Sequence, residues 1–192
     1  MAEESNVHVK VAMADVLGLL AIAFFTFLVA GLGLDLNGAA PIAAVAVPVG
    51  IVVLIVAFIA FLNENLLGTA IFGPLGIFFL AFVGIHTAGV ANGMDAVMAL
   101  VFIGVVVLID AVVSFAQPVK LLPILLLVAA VAFFVTALFY NGMTEMQVVF
   151  GALWMIYSLI SFYMAAAIMM LVLKGKQILP LLISAPSAPA KA

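Results

Sequence analysis

The sequence has no arginine and no cysteine among its 192 residues, and charged residues make up only 7% of the chain. Without cysteine there is no disulfide framework and no thiolate chemistry. The formal net charge of −3 is small and spread along the chain, so it gives no indication of a nucleic-acid partner. With 70% hydrophobic residues and a mean hydropathy of +1.55, the chain has too few polar side chains to cover a water-soluble core. We therefore predict an integral membrane protein.

Long apolar runs predict six membrane-spanning helices. A helix needs about 20 apolar residues to cross the hydrocarbon core of a bilayer. The predicted spans are 16–34, 41–62, 66–86, 96–116, 121–140 and 147–173. A β-barrel would need strands of about ten residues that alternate apolar with polar, whereas residues 51–62 are apolar throughout. The predicted fold class is an all-α integral membrane protein, a six-transmembrane-helix bundle.

Short polar stretches mark the turns and the two ends of the chain. Residues 1–15 form a polar lead-in, and Asp15 is placed to cap the first helix. Pro41 is placed to start the second helix. The transmembrane domain covers 16–183, and the Ser-, Ala- and Pro-rich residues 184–192 are predicted to be a disordered tail. Because the connections are short, consecutive helices are expected to be antiparallel neighbours.

The lysines predict the orientation of the bundle. Six spans place all five on one side of the membrane: Lys10, Lys120, Lys174, Lys176 and Lys191. The opposite side receives only the acidic residues Asp35, Asp95 and Glu145. Because loops that carry Lys and Arg stay in the cytoplasm, we predict that both termini are cytoplasmic and that the chain is a multi-pass protein of the cell membrane.

Polar and aromatic residues recur at helical spacing inside the predicted spans, and such faces turn away from lipid. These residues are the candidates for lining an interior path. The first span contributes Ile22 and Thr26, the third Leu75, Phe79, Phe82 and His86, the fourth Asp110, Ser114 and Gln117, and the sixth Trp154, Tyr157, Ser158 and Ser161. A helix-packing role is the alternative for the sixth-span residues, and a helix-end hydrogen bond is the alternative for His86.

Asp110 is the one carboxylate well inside a predicted span. A charged group there costs at least about 2.5 kcal/mol unless it is solvated or protonated. Asp110 therefore predicts a water-filled vestibule. The alternative is that Asp110 reaches water close to the inner membrane interface and contacts no solute.

No constellation of catalytic or metal-binding residues is visible in the sequence. The two histidines, His8 and His86, are far apart, and there is no cysteine to complete a metal site. No glycine-rich phosphate loop follows a strand. We therefore expect neither enzymatic activity nor a cofactor.

The chain resembles the acetate/succinate permease family from about Asp15 to Leu182. The family opens its first helix with Asn-Pro-Ala-Pro-Leu-Gly-Leu, of which the last three residues are retained at 17–19. The glycine and aromatic positions of the family's third helix are retained at Gly68, Phe72, Gly76 and Phe78. The last helix, from Gly151, is similar without a gap. The urea/amide channels share this architecture.

This resemblance implies six-helix protomers that assemble as hexamers in the lipid bilayer, with a pore in each protomer. The hydrophobic constriction of that pore falls at Ile22, Leu75 and Leu127, and Phe72 belongs to the pore wall. Two acidic positions of the family are Ala60 and Ile168 here. The implied function is a channel or permease for a small weak acid or neutral solute, and acetate or acetic acid is the first candidate for that solute. The alternative is a structural or scaffolding membrane protein whose pore has closed.

The predicted orientation is testable because the chain has no native cysteine. Single cysteines at Asn92 and Ser184 should react with a membrane-impermeant thiol reagent from opposite sides, with the Asn92 position labelled from outside intact cells. Labelling of both positions from the same side would contradict the six-span arrangement.

Overall fold

The computed structural model describes residues 14–89 and 94–183, without the side chains of 85–89. In these ranges the chain forms six long α-helices: α1 Asp15–Gly33, α2 Ala40–Leu62, α3 Leu66–Gly89, α4 Met94–Ser114, α5 Leu121–Tyr140 and α6 Gln147–Lys174. A short 3-10 helix, Thr144–Met146, precedes α6. All six α-helices are long and apolar enough to cross a membrane. The predicted six-helix membrane bundle is therefore confirmed, with bounds that agree to within three residues. The predicted lead-in through residue 13, the Asn92 loop and the tail from residue 184 lie outside the described residues.

The six helices pack as a closed ring. Each helix packs chiefly against the helices before and after it in the chain, and α6 returns to pack against α1. Large apolar side chains such as Phe58, Phe102 and Leu159 are exposed on the outside of the bundle, as expected of a surface in contact with hydrocarbon. We call the end of the ring with Lys120 the inner end and the end with Asp35 the outer end, following the predicted orientation.

Three of the helices end in the same kind of tight turn. The residues two positions past the ends of α1, α2 and α5 are Asp35, Glu64 and Gly142, and all three have positive φ angles, of 59°, 57° and 97°. In the α1 turn the Leu36 N–H donates to the Gly31 carbonyl oxygen at 2.7 Å, which is the long bond of a Schellman motif. These turns satisfy the last carbonyl groups of each helix and send the chain straight back, so consecutive helices are antiparallel.

The start of α1 differs from the sequence prediction. The helix begins at Asp15, its N-cap residue is Ala14, and no side chain caps it. The expected capping role of Asp15 is therefore wrong, because Asp15 lies one residue too far into the helix to cap it. The expectation for α2 is correct, since Pro41 lies in its first turn.

Glycines allow the closest helix–helix approaches in the ring. A Cβ added to Gly33 of α1 would lie 2.6 Å from the Gly151 backbone nitrogen of α6. A Cβ added to Gly50 of α2 would lie 3.0 Å from the Gly76 carbonyl oxygen of α3. Backbones meet directly at these crossings, as is typical of small residues between membrane helices.

The crossing of α1 with α6 yields a stability prediction. Gly33→Ala places a methyl group against the backbone of Gly151, which no side-chain rotation relieves, so we expect it to lower the free energy of unfolding by about 1–3 kcal/mol. Gly84→Ala is the matched control, because nothing lies within 4 Å of its added Cβ and alanine favours a helix. Thermal unfolding in detergent, followed by tryptophan fluorescence, measures both variants. Equal melting temperatures for the two would contradict the close crossing.

Candidate functional site

Three cavities follow one another through the centre of the ring. The outer cavity has a volume of about 50 Å³, the middle cavity about 10 Å³ and the inner cavity about 190 Å³. The outer and middle cavities share the lining residues Thr26, Phe79, Phe133 and Trp154. The middle and inner cavities share Ile22, Leu126 and Tyr157. Five helices, α1 and α3 to α6, line the middle cavity, so it lies at the core of the bundle.

The outer cavity is enclosed by aromatic rings. Phe25 of α1 lies 4.6 Å from Phe79 of α3 between ring centroids, and Phe78 lies 5.5 Å from Phe133 of α5. Phe133 in turn meets Trp154 of α6 edge-on at 4.8 Å. Edge-to-face contacts of this kind hold the rings in fixed orientations. The rings link four helices, α1, α3, α5 and α6, around the cavity.

The two threonine hydroxyl groups beside the outer cavity are already hydrogen-bonded to the protein. Thr26 Oγ1 donates to the Ile22 carbonyl oxygen at 2.9 Å. Thr136 Oγ1 donates to the Ala132 carbonyl oxygen at 2.7 Å and accepts the Trp154 indole N–H at 3.0 Å. A solute in this cavity therefore meets a wall that is almost entirely apolar. Removing an ion from water into such surroundings is far more costly than removing a neutral molecule.

The middle cavity is the smallest of the three. Ile22 and Leu75 line it and are 2% and 3% exposed. Its volume of about 10 Å³ is at the lower limit for a single water molecule. In this conformation the middle cavity leaves little free space between the outer cavity and the inner one.

The inner cavity is the largest, and it carries most of the polar lining. Asp15 of α1, Asn65 from the turn before α3, and Gln117 from the turn after α4 all line it. Tyr157 lines it where it meets the middle cavity. Among the described residues that line the three cavities, Asp15 is the one with a charged side chain.

The structure brings together nine of the residues that the sequence suggested for an interior path. The middle cavity is lined by Ile22, Thr26, Leu75, Phe79, Trp154 and Tyr157, the outer one by Phe82, and the inner one by Phe72 and Gln117.

Leu127, predicted for the constriction, lines none of the three cavities, and Leu126 lines both the middle and the inner one instead. One residue along a helix turns the side chain by about 100°. That rotation carries Leu127 to a partly buried position beside the core, away from the path.

The three serines predicted on α4 and α6 are buried in the bundle and line none of the three cavities. Ser114 Oγ donates within α4 to the Ala111 carbonyl oxygen at 2.7 Å. Ser158 Oγ donates to the Ala23 carbonyl oxygen at 2.8 Å and so joins α6 to α1. Ser161 of α6 is fully buried, one turn from Tyr157.

Asp110 is 6% exposed, and its Oδ2 atom is buried without a hydrogen-bond partner. The water-filled vestibule predicted from Asp110 is thus not one of the three cavities, and the inner cavity lies elsewhere. His86 lies in α3, and its side chain lies outside the described residues. Within the part of the chain that the structure describes, no group of three His, Cys, Asp or Glu side chains could hold a metal ion.

Of the polar residues of the inner cavity, the sequence indicated Gln117 and Tyr157 for an interior path, but not Asp15 or Asn65. Asn65 lies in the turn before α3, and Asp15 was expected to cap α1. The available signal was that Asp15, Asn65 and Gln117 all stand at inner helix ends. In an antiparallel bundle this position brings them to one mouth.

No protein-family model and no curated protein sequence matches the chain. Among solved structures, the chain is similar to one described as the bacterial acetate channel SatP. The TM-score is 0.82 at 20% sequence identity, and the match covers 91% of this chain and 99% of that one. The two proteins therefore share a fold over nearly their whole length, which confirms the architecture that the resemblance to the acetate/succinate permeases implied.

Proposed function

We propose that the protein is a membrane channel or permease for a small weak acid or neutral solute, with acetic acid as the leading candidate. The solute passes through the outer, middle and inner cavities of each protomer. The observation that carries this proposal is the shared lining of the three cavities through the centre of the ring. The fold shared with an acetate channel supports it.

The chemistry of the walls favours the uncharged form of the solute. In the outer and middle cavities the lining side chains are apolar or aromatic apart from hydroxyls, and the Thr26 and Thr136 hydroxyls already donate to backbone carbonyl groups. An acetate ion would lose its hydration shell there without compensation, whereas undissociated acetic acid would lose much less.

Passage requires the middle cavity to widen. At about 10 Å³ it barely admits one water molecule, and acetic acid is larger than water. Ile22, Leu75 and Leu126 are aliphatic side chains on three different helices, so rotamer changes among them would open the barrier without moving a hydrogen bond. These three residues form the proposed gate.

We also propose that the protein acts in the cell membrane as a ring of six identical protomers, the assembly that the family resemblance implies. The outward faces support this: α2 exposes Val47, Ile51 and Ile55. Such a surface needs lipid or a neighbouring protomer to cover it. The proposal includes no enzymatic step, no cofactor and no nucleic-acid partner.

A structural membrane protein with a closed pore is the second candidate. The small volume of the middle cavity favours this second candidate, because a permanently closed pore would also leave almost no free space there. The two candidates differ in whether solute flux rises when a side chain of the proposed gate is shortened.

Leu75→Ala separates the two functions. If Leu75 belongs to a gate, the shorter side chain should raise the flux of acetic acid or urea into proteoliposomes several-fold, and Leu75→Trp should abolish it. Leu181→Ala is the matched control, because Leu181 is fully buried but lines none of the three cavities. Both alanine variants should lose about 2–5 kcal/mol of unfolding free energy, since each leaves a cavity in the core. A loss of stability in both, with no gain of flux in Leu75→Ala, would contradict the transport function.

A further inference from the structure

Three polar side chains from separate parts of the chain meet at the inner cavity. Asp15 is on α1, Asn65 lies in the turn between α2 and α3, and Gln117 lies in the turn between α4 and α5. Much of the remaining lining is apolar, including Ile71, Phe72 and Ile168. A solute at the inner end of the path therefore meets these polar groups before it reaches the apolar barrier.

The amide of Asn65 is held in one orientation. Its Oδ1 atom accepts the Gly68 N–H at 3.0 Å, a hydrogen bond at the start of α3. The same contact brings Nδ2 close to Gly68, where an added Cβ would lie only 2.6 Å from that nitrogen. Because the oxygen is engaged, Asn65 offers its N–H groups as hydrogen-bond donors.

Asp15 supplies the complementary acceptor. Its carboxylate does not cap α1, and no hydrogen bond or ion pair engages it within the described residues. An ionised carboxylate accepts hydrogen bonds and cannot donate them. It therefore attracts a solute that carries a donor and repels one that carries a negative charge.

Two other charges lie near this mouth outside the cavity lining. Glu64 precedes Asn65 and is exposed. The Lys120 ammonium donates to the carbonyl oxygens of Phe115 and Gln117, at 2.6 and 2.9 Å. Neither side chain lines the cavity, so Asp15 is the charge that a solute inside it faces most directly.

We propose that Asp15 and Asn65 form a selectivity site at the inner mouth. The site selects uncharged solutes that carry a hydrogen-bond donor and a hydrogen-bond acceptor on one carbon. These solutes are undissociated carboxylic acids and primary amides. Asn65 donates to the carbonyl oxygen of the solute, and Asp15 accepts from its O–H or N–H. A carboxylate anion has two acceptor oxygens and no donor, so Asp15 rejects it. This inference rests on the proposed transport function and names its substrate class.

The test compares Asp15→Asn with Glu64→Gln in proteoliposomes. Each variant removes one negative charge at the inner end, but only Asp15 lines the cavity. Two fluxes are measured for each protein: formate at pH 8, driven by a potassium diffusion potential, and acetamide down its own gradient. We expect Asp15→Asn to raise the ratio of formate to acetamide flux on the order of fivefold, the effect of one unit charge at close range in a solvated site. Glu64→Gln should leave that ratio within about twofold of the wild type.

Asp15→Glu restores the charge and should return the ratio to the wild-type value, and the melting temperature of each variant shows that it is folded. Equal ratios for Asp15→Asn and Glu64→Gln, with the wild type transporting acetamide, would overturn the selectivity site and leave the transport function standing. No wild-type flux of acetamide or acetic acid above protein-free vesicles would overturn both.

Discussion

The cost of leaving a polar group unsatisfied in a medium without water governs this structure. Every backbone N–H and C=O in the hydrocarbon region needs a partner inside the protein, so the chain crosses the membrane only as helices. The same cost explains the hydroxyl groups near the path. Thr26 and Thr136 turn their hydrogens back to carbonyl groups of their own helices, and Ser158 bonds across to α1. The side-chain atoms that face the outer and middle cavities are therefore mostly carbon atoms.

The ring arrangement turns this constraint into a path. Because each helix packs chiefly against its two neighbours, the centre of the bundle is filled by side chains from five helices. Aromatic rings fix the outer half through contacts between helices, while aliphatic side chains meet at the middle. The inner half is wider and carries the polar mouth. In the proposed transport function, a solute would exchange hydrogen bonds at the mouth and lose water only in the apolar section, where a net charge would be most costly.

The six helices and their ends were predictable because lipid demands long apolar runs, and such runs are visible in any single sequence. Residues on a repeating face, such as Ile22, Thr26, Leu75 and Phe79, were also found, since helical spacing puts them side by side. The assignment to Leu127 rested on the family resemblance. A shift of one residue along α5 was enough to replace the side chain that faces the path with its neighbour Leu126.

Other features depend on contacts between distant parts of the chain, which spacing along one helix does not reveal. A carboxylate inside a membrane span, such as Asp110, indicates a water-filled vestibule. Asp110 is nevertheless buried and lines none of the three cavities. Asn65 looks like an ordinary turn residue until the ring closes and brings it to the mouth with Asp15 and Gln117. Polar residues at helix ends on one side of a bundle are the pattern that would have pointed to them.

The central claim is that an uncharged small solute crosses through the three cavities. Stopped-flow measurement of acetic acid and acetamide entry into proteoliposomes of the wild-type protein, with protein-free vesicles subtracted, tests it most directly. The account predicts a protein-dependent rate that follows the concentration of undissociated acid as the external pH is varied, together with measurable acetamide entry. A rate that follows total acetate, or no rate above that of protein-free vesicles, would contradict it.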